Sequence, residues 1–187
     1  MIDFTENLQL YRQALDFAYR AHQGHAKKTD QRPYFVHPVQ VAIILLQAGA
    51  DDLLVIAGIL HDTCEDGGRT LDTISSRFGP EIAQLVASTT DDRSLAWQER
   101  KAVDLERFRH ADNRVRLLRA ADALANLSIL LEELSRPGSE MAPRPVQYDE
   151  KIWYYDQIAE ALDQLWPDCP LLQSIRSLLA NLKSKTE

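Results

Sequence analysis

The chain has 187 residues, 45% of them hydrophobic, which suits one globular domain with its own core better than two. A formal net charge of −7 excludes the broad basic surface that tracks a nucleic-acid backbone, and leaves room for a small polyanion held by locally concentrated positive charge. Cys64 and Cys169 are too few and too far apart for a disulfide framework or zinc knuckle, and neither a basic-apolar leader nor a membrane-length apolar run is visible, so the sequence reads as a soluble cytoplasmic protein with free thiols.

Apolar residues recur at three- and four-residue steps almost throughout, and alternating β-branched runs are absent, which predicts an all-α fold: a single helical domain of about eight to ten helices. The first helix is expected from about Glu6 to His22, burying Leu8, Tyr11, Leu15, Ala18 and Tyr19. A polar loop with Lys27, Lys28, Thr29 and Asp30 follows. Pro38 opens the second helix and Gly49 ends it. Asp51 or Asp52 caps the third, Leu53 to about Cys64, whose near-continuous apolar sequence predicts burial on all sides. Gly67 and Gly68 stop it. A short helix from Leu71 ends at Phe78-Gly79, and Pro80 starts the next, to about Ser88. Another runs from about Ser94 to Arg109. Asp112 caps a long helix to about Leu134, and a loop rich in proline separates it from two closing helices, Asp149 to Trp166 and Leu171 to about Lys183.

The strongest local signal is His61-Asp62-Thr63-Cys64-Glu65-Asp66, at the end of an otherwise apolar helix. Four ionisable groups at the end of a buried segment are too costly to be incidental. On helical spacing Glu65 lies one turn from His61 and Asp62, and Asp66 one turn from Asp62. His37 stands beside Pro38, whose ring fixes the backbone. Asp122 and Asn126 lie one turn apart within an apolar helix, and read equally well as a structural hydrogen-bond pair or as part of a site. Together His37, His61, Asp62 and Asp122 offer two imidazoles and two carboxylates, a mixed set that suits one divalent ion, Mn²⁺, Fe²⁺ or Zn²⁺, and lacks the thiolates of a closed structural zinc site. His22 and His25 flank the basic loop and His110 looks like a surface residue; none is assigned to metal. Cys64 reads as a small buried side chain, and Trp97, Trp153 and Trp166 as packing residues.

The order His37, His61-Asp62, Asp122 resembles the HD superfamily, and His61 to Asp66 is similar to the HDxxED motif of the RelA/SpoT hydrolase domain. The likeness extends through His22-Gln-Gly24, Lys27-Lys28, Pro33-Tyr34, His37-Pro38 and Phe78-Gly79. Thr90-Asp-Asp-Arg-Ser-Leu95 with Glu99-Arg-Lys101 is similar to the small alarmone hydrolases. This resemblance implies one divalent ion, usually Mn²⁺, on His37, His61, Asp62 and Asp122. It also implies that Glu65 and Asp66 activate and position water, that Lys27, Lys28 and Thr29 line a nucleotide pocket, and that Asn126 and Tyr155 contact substrate. The implied reaction removes the 3′-pyrophosphate of ppGpp or pppGpp. The alternative readings are a related HD phosphohydrolase acting on an adenine alarmone such as ppApp, on the 2′-phosphate of NADPH or on another nucleotide, and, in a different class, a module that binds alarmone without cleaving it. The partner implied is a small nucleotide, with no nucleic acid and no membrane. The sequence departs from the family around His25, at Ile129, at Ala123, and at Arg119, where the family usually has Lys; that last change keeps charge but alters donor geometry.

Overall fold

The computed structural model describes residues 4–24, 33–65, 67–136 and 147–185. They are all-α, with nine helices among the described residues: α1 Phe4–Ala21, α2 Val36–Gln47, α3 Asp52–Leu60, α4 Leu71–Phe78, α5 Pro80–Thr89, α6 Trp97–His110, α7 Asn113–Leu134, α8 Gln147–Leu165 and α9 Leu172–Ser184. No helix among them is long and apolar enough to cross a membrane. Two compact units divide the chain, Met1–Arg100 and Lys101–Glu187.

In the amino-terminal unit α3 is central, packed against α1, α2 and α5, while α4 packs on α5. Every residue from Leu54 to Leu60 is buried, as a helix apolar on all sides requires. Full burial of each large aliphatic side chain contributes about 1.5–3 kcal/mol. Asp51 caps this helix by accepting from the Leu54 amide at 2.9 Å, and Asp52 instead turns toward α1, where Asn7 and Tyr11 donate to its two oxygens. Thr70 caps α4 in the same way through the Thr73 amide.

Several boundaries and faces differ from the expectation. On α1 Ala18 is buried as expected, but it shares its stripe with Ala14, Phe17 and Ala21, whereas Leu8, Leu15 and Tyr19 are exposed and Tyr11 is only half-buried. The second helix begins at Val36, two residues before Pro38, which is harmless because first-turn amides have no partner within the helix. Gly49 does follow its cap, at φ 76°. Helix α3 stops at Leu60, short of Cys64: the Thr63 amide and hydroxyl both bond the Leu60 carbonyl, at 3.0 and 2.7 Å, and turn the chain. The sixth helix starts at Trp97 because Asp92 first captures the Ser94 amide and hydroxyl in a turn.

That turn after α3 closes tightly. The Arg69 amide bonds the Thr63 carbonyl at 3.1 Å, and a Cβ on Gly67 would lie 2.7 Å from both Ala21 Cβ and the Thr63 carbonyl oxygen. Gly67→Ala is therefore expected to cost about 1–3 kcal/mol, as overpacking does. A thermal melt should register it as a fall of roughly 2–4 °C per kcal/mol; an unchanged melt would show that α1 and the turn yield freely.

In the carboxy-terminal unit α7 and α8 both pack on α9 and on each other. Asp112 caps α7 through the Val115 amide at 2.9 Å. Of the three tryptophans, Trp153 is exposed on α8 and does not serve as a core residue, since Ile152, Tyr154 and Ile158 take the buried face.

Candidate metal centre

The sharp end of α3 determines where the first donors stand. His61 occupies the helix cap and is 2% exposed; its Nδ1 lies 2.8 Å from the Gly58 carbonyl. A carbonyl only accepts, so Nδ1 carries the hydrogen and Nε2 presents its lone pair. Such a backbone partner is how metal-ligating imidazoles are oriented. That Nε2 is 3.2 Å from Asp62 Oδ1.

His37, in the first turn of α2, is equally buried and places Nε2 3.6 Å from the other Asp62 oxygen, Oδ2. The two imidazole rings lie 5.3 Å apart. Atoms bound to one ion at about 2.0–2.2 Å stand roughly 3–3.5 Å from each other. Two imidazoles and a carboxylate at these separations fit a divalent cation by donor chemistry and by spacing.

Two residues beside this cluster carried no role in the sequence reading. Tyr34 donates its hydroxyl to Asp62 Oδ2 at 2.7 Å. Its ring lies 4.9 Å from that of buried His22 and 6.0 Å from that of His37. The signal available was the run of aromatic and imidazole residues from His22 to His37, which does not show by itself which ring faces the carboxylate.

Glu65 lies in the turn that follows His61 and Asp62. Its Oε1 accepts from the Asp91 amide at 2.6 Å, and its Oε2 stands 3.6 Å from Arg93 Nη2. Arg100 in turn lies 3.7 Å from the Asp91 carboxylate, which steadies the segment that holds Glu65. Burial pushes the Glu65 carboxyl above the usual carboxylate range and the nearby Asp62 charge adds to this, while the Asp91 amide and Arg93 pull it down. A carboxylate so raised and so held is suited to accept a proton. Asp91 and Arg93 are the other residues that sequence reasoning left without a role. Next to Glu65, the Cys64 thiol is pushed up by burial and by the Glu65 charge, so it stays protonated at neutral pH and is a poor nucleophile.

In the carboxy-terminal unit α7 carries Asp122 and Asn126. The Asn126 amide donates to Asp122 Oδ1 at 2.7 Å, a bond along one helix that fixes the carboxylate's orientation. Tyr155 on α8 is half-buried, its ring 5.1 Å from that of Tyr154. Asp66, Lys27, Lys28 and Thr29 lie outside the described residues.

The HD domain family matches residues 14–144. The guanosine-3′,5′-bis(diphosphate) 3′-pyrophosphohydrolase MESH1 of Homo sapiens is 41% identical over 118 residues, 62% of this chain and 66% of that protein. The protein of the same name from Danio rerio is 36% identical over 143 residues, 74% of this chain and 77% of that one. This chain thus spans about two thirds of the human relative's length. Among solved structures, one described as a metazoan ortholog of SpoT that hydrolyzes ppGpp superposes with a TM-score of 0.80 at 25% identity, covering 91% of this chain and 94% of that one. With the family's match extending over more than half of its length, and with the His61-Asp62 pair and His37 gathered at the end of α3, this chain belongs to the HD domain family and, within it, resembles the MESH1 proteins.

Proposed function

We propose that this protein is a metal-dependent phosphohydrolase that removes the 3′-pyrophosphate of ppGpp or pppGpp, giving GDP or GTP and pyrophosphate. The observation that carries the reading is the His37, His61 and Asp62 cluster with the Glu65 carboxylate held in the same turn. The pyrophosphohydrolase activity for which the MESH1 relatives are named supports it. Residues 1–187 act as one catalytic domain in this reading, working on a small nucleotide in the cytoplasm.

His37, His61, Asp62 and Asp122 would hold a divalent ion, Mn²⁺ in the first instance. When bound it supplies Lewis-acid polarisation and makes water acidic enough to lose a proton near neutral pH. His61 would offer it Nε2, because the Gly58 carbonyl occupies Nδ1, and Tyr34 steadies the Asp62 carboxylate. Glu65 accepts the proton of the attacking water while the Asp91 amide keeps its carboxylate aimed. Asp66 orients that water. Lys27, Lys28 and Thr29 bind the phosphates and nucleoside, a local positive site in an acidic chain, with Asn126 and Tyr155 completing the substrate contacts.

The test is incubation with ppGpp, ppApp and NADPH, with and without Mn²⁺, followed by identification of the products. Pyrophosphate released in one piece from the 3′ side of ppGpp is the expected result. Release of single phosphate, or cleavage on the 5′ side, overturns the reading. A large preference for ppApp keeps the mechanism and replaces the guanine substrate.

A further inference from the structure

One turn before Asp122, the carboxy-terminal unit buries a second set of polar groups. Asp104 on α6 is 2% exposed, Arg119 on α7 7% and Tyr154 on α8 5%. Arg119 Nη2 pairs with Asp104 Oδ1 and donates to the Tyr154 hydroxyl at 3.1 Å, and Tyr154 donates to the other Asp104 oxygen. Three side chains from three helices close a ring. Burial pushes the Tyr154 hydroxyl well above its usual range, so it remains a donor to Asp104. The other guanidinium nitrogen, Arg119 Nη1, stands 4.0 Å from Asp122 Oδ2.

A buried ion pair is a poor device for stability, because withdrawing both charges from water consumes most of what their attraction returns. Apolar side chains could fill the same space. What they could not supply is a positive charge at a fixed distance from Asp122. The guanidinium is a planar fork whose two terminal nitrogens serve different partners here, one Asp104 and Tyr154, the other Asp122. An ammonium is a point charge on a flexible stem and could follow one carboxylate or the other. Asp122 is thereby braced from both sides along α7, by the Asn126 amide one turn after it and by Arg119 one turn before.

We propose that Arg119, clamped by Asp104 and Tyr154, is a positioning residue of Asp122: beside the Asn126 bond that orients the carboxylate, it holds a fixed positive charge 4.0 Å from the second oxygen and so sets the charge a cation meets there. The inference rests on Asp122 being a metal ligand. Outer partners of metal ligands change metal affinity on the order of 10- to 100-fold when they are altered. Removing the clamp would therefore weaken the cation site although no ligand atom is lost.

The experiment titrates metal-free protein with Mn²⁺, following free Mn²⁺ by electron paramagnetic resonance, in the parent, Asp122→Ala, Arg119→Lys and Tyr154→Phe. Circular dichroism and a melt of each metal-free protein report folding, and titration is done well below the melting temperature. Arg119→Lys is expected to stay folded and to bind Mn²⁺ on the order of 10- to 100-fold more weakly, with Tyr154→Phe shifted less in the same direction. A purely structural role would lower the melting temperature and leave the affinity of the folded protein at the parental value. If the parent takes up no stoichiometric Mn²⁺, or Asp122→Ala binds it as the parent does, the ligand assignment itself fails. If those controls hold and Arg119→Lys keeps parental affinity, the positioning role is overturned. Should Arg119→Lys not fold, Tyr154→Phe decides by the same criterion.

Discussion

Asp62→Asn should lose both stoichiometric metal and turnover, leaving activity at background, while the chain stays folded. Asp62 is the side chain on which the amino-terminal donors converge, with His61 Nε2 at 3.2 Å from one oxygen and His37 Nε2 at 3.6 Å from the other. An amide keeps the shape and a carbonyl oxygen for the Tyr34 hydroxyl, now 2.7 Å from Oδ2, but removes the negative charge and replaces one donor oxygen by an NH₂ that cannot ligate. His61→Ala should have the same outcome with a larger structural penalty, since it strands the Gly58 carbonyl in a buried place at a cost of about 1–3 kcal/mol. Chelation of the parent should silence it and Mn²⁺ should restore it. Elemental analysis of the purified variants provides the check: stoichiometric metal in Asp62→Asn, or full turnover by chelated parent, removes these residues from the mechanism.

Glu65→Gln separates chemistry from binding. The amide can still accept the Asp91 N–H through its carbonyl, so the turn and the substrate pocket should persist, while the carboxylate proposed to take the proton is gone. Turnover should fall on the order of a hundredfold or more, the scale of lost general-base help. Metal content and the Kd for a nucleotide should stay near parental values. Single-turnover kinetics alongside a binding titration distinguish the outcomes. Parental turnover would move the base to Asp66, whereas a matched loss of binding and rate would make Glu65 a scaffold for the 90–95 segment.

The parts of this fold that were legible in the sequence are those specified locally. Asp51 and Asp112 announce the starts of α3 and α7, and Phe78-Gly79-Pro80 the break between α4 and α5, because caps and glycine-proline breaks act within a few residues. The apolar run from Leu54 to Leu60 could only be buried. The face of α1 was legible only at Ala18: Leu8 and Tyr19 look like core residues by size but are exposed, whereas Ala14, Phe17 and Ala21 are buried. Within the site, His37, His61 and Asp62 were readable from residue type and order. The Tyr34 bond to Asp62 and the Asp91 amide on Glu65 were not, since they join positions 28 and 26 residues apart and depend on tertiary approach. Asp104 and Tyr154, 50 residues apart, left no pattern at all.

The first helix grips the third at both of its ends. At the start, Tyr11 donates to Asp52 at 2.8 Å, with burial and the Asp52 charge holding the phenol protonated. At the far end, the Gly67 turn packs on Ala21 so closely that no side chain fits between them. Clasped in this way, α3 is expected to open together with α1: fraying from the Asp52 side is resisted by one end of α1, and from the His61 side by the other. Opening of α3 then requires release of α1, which makes the two helices one cooperative unit in hydrogen exchange. The histidine and aspartate at the end of α3 inherit that protection, so their arrangement is lost in large, rare openings that include α1, and not by gradual local softening.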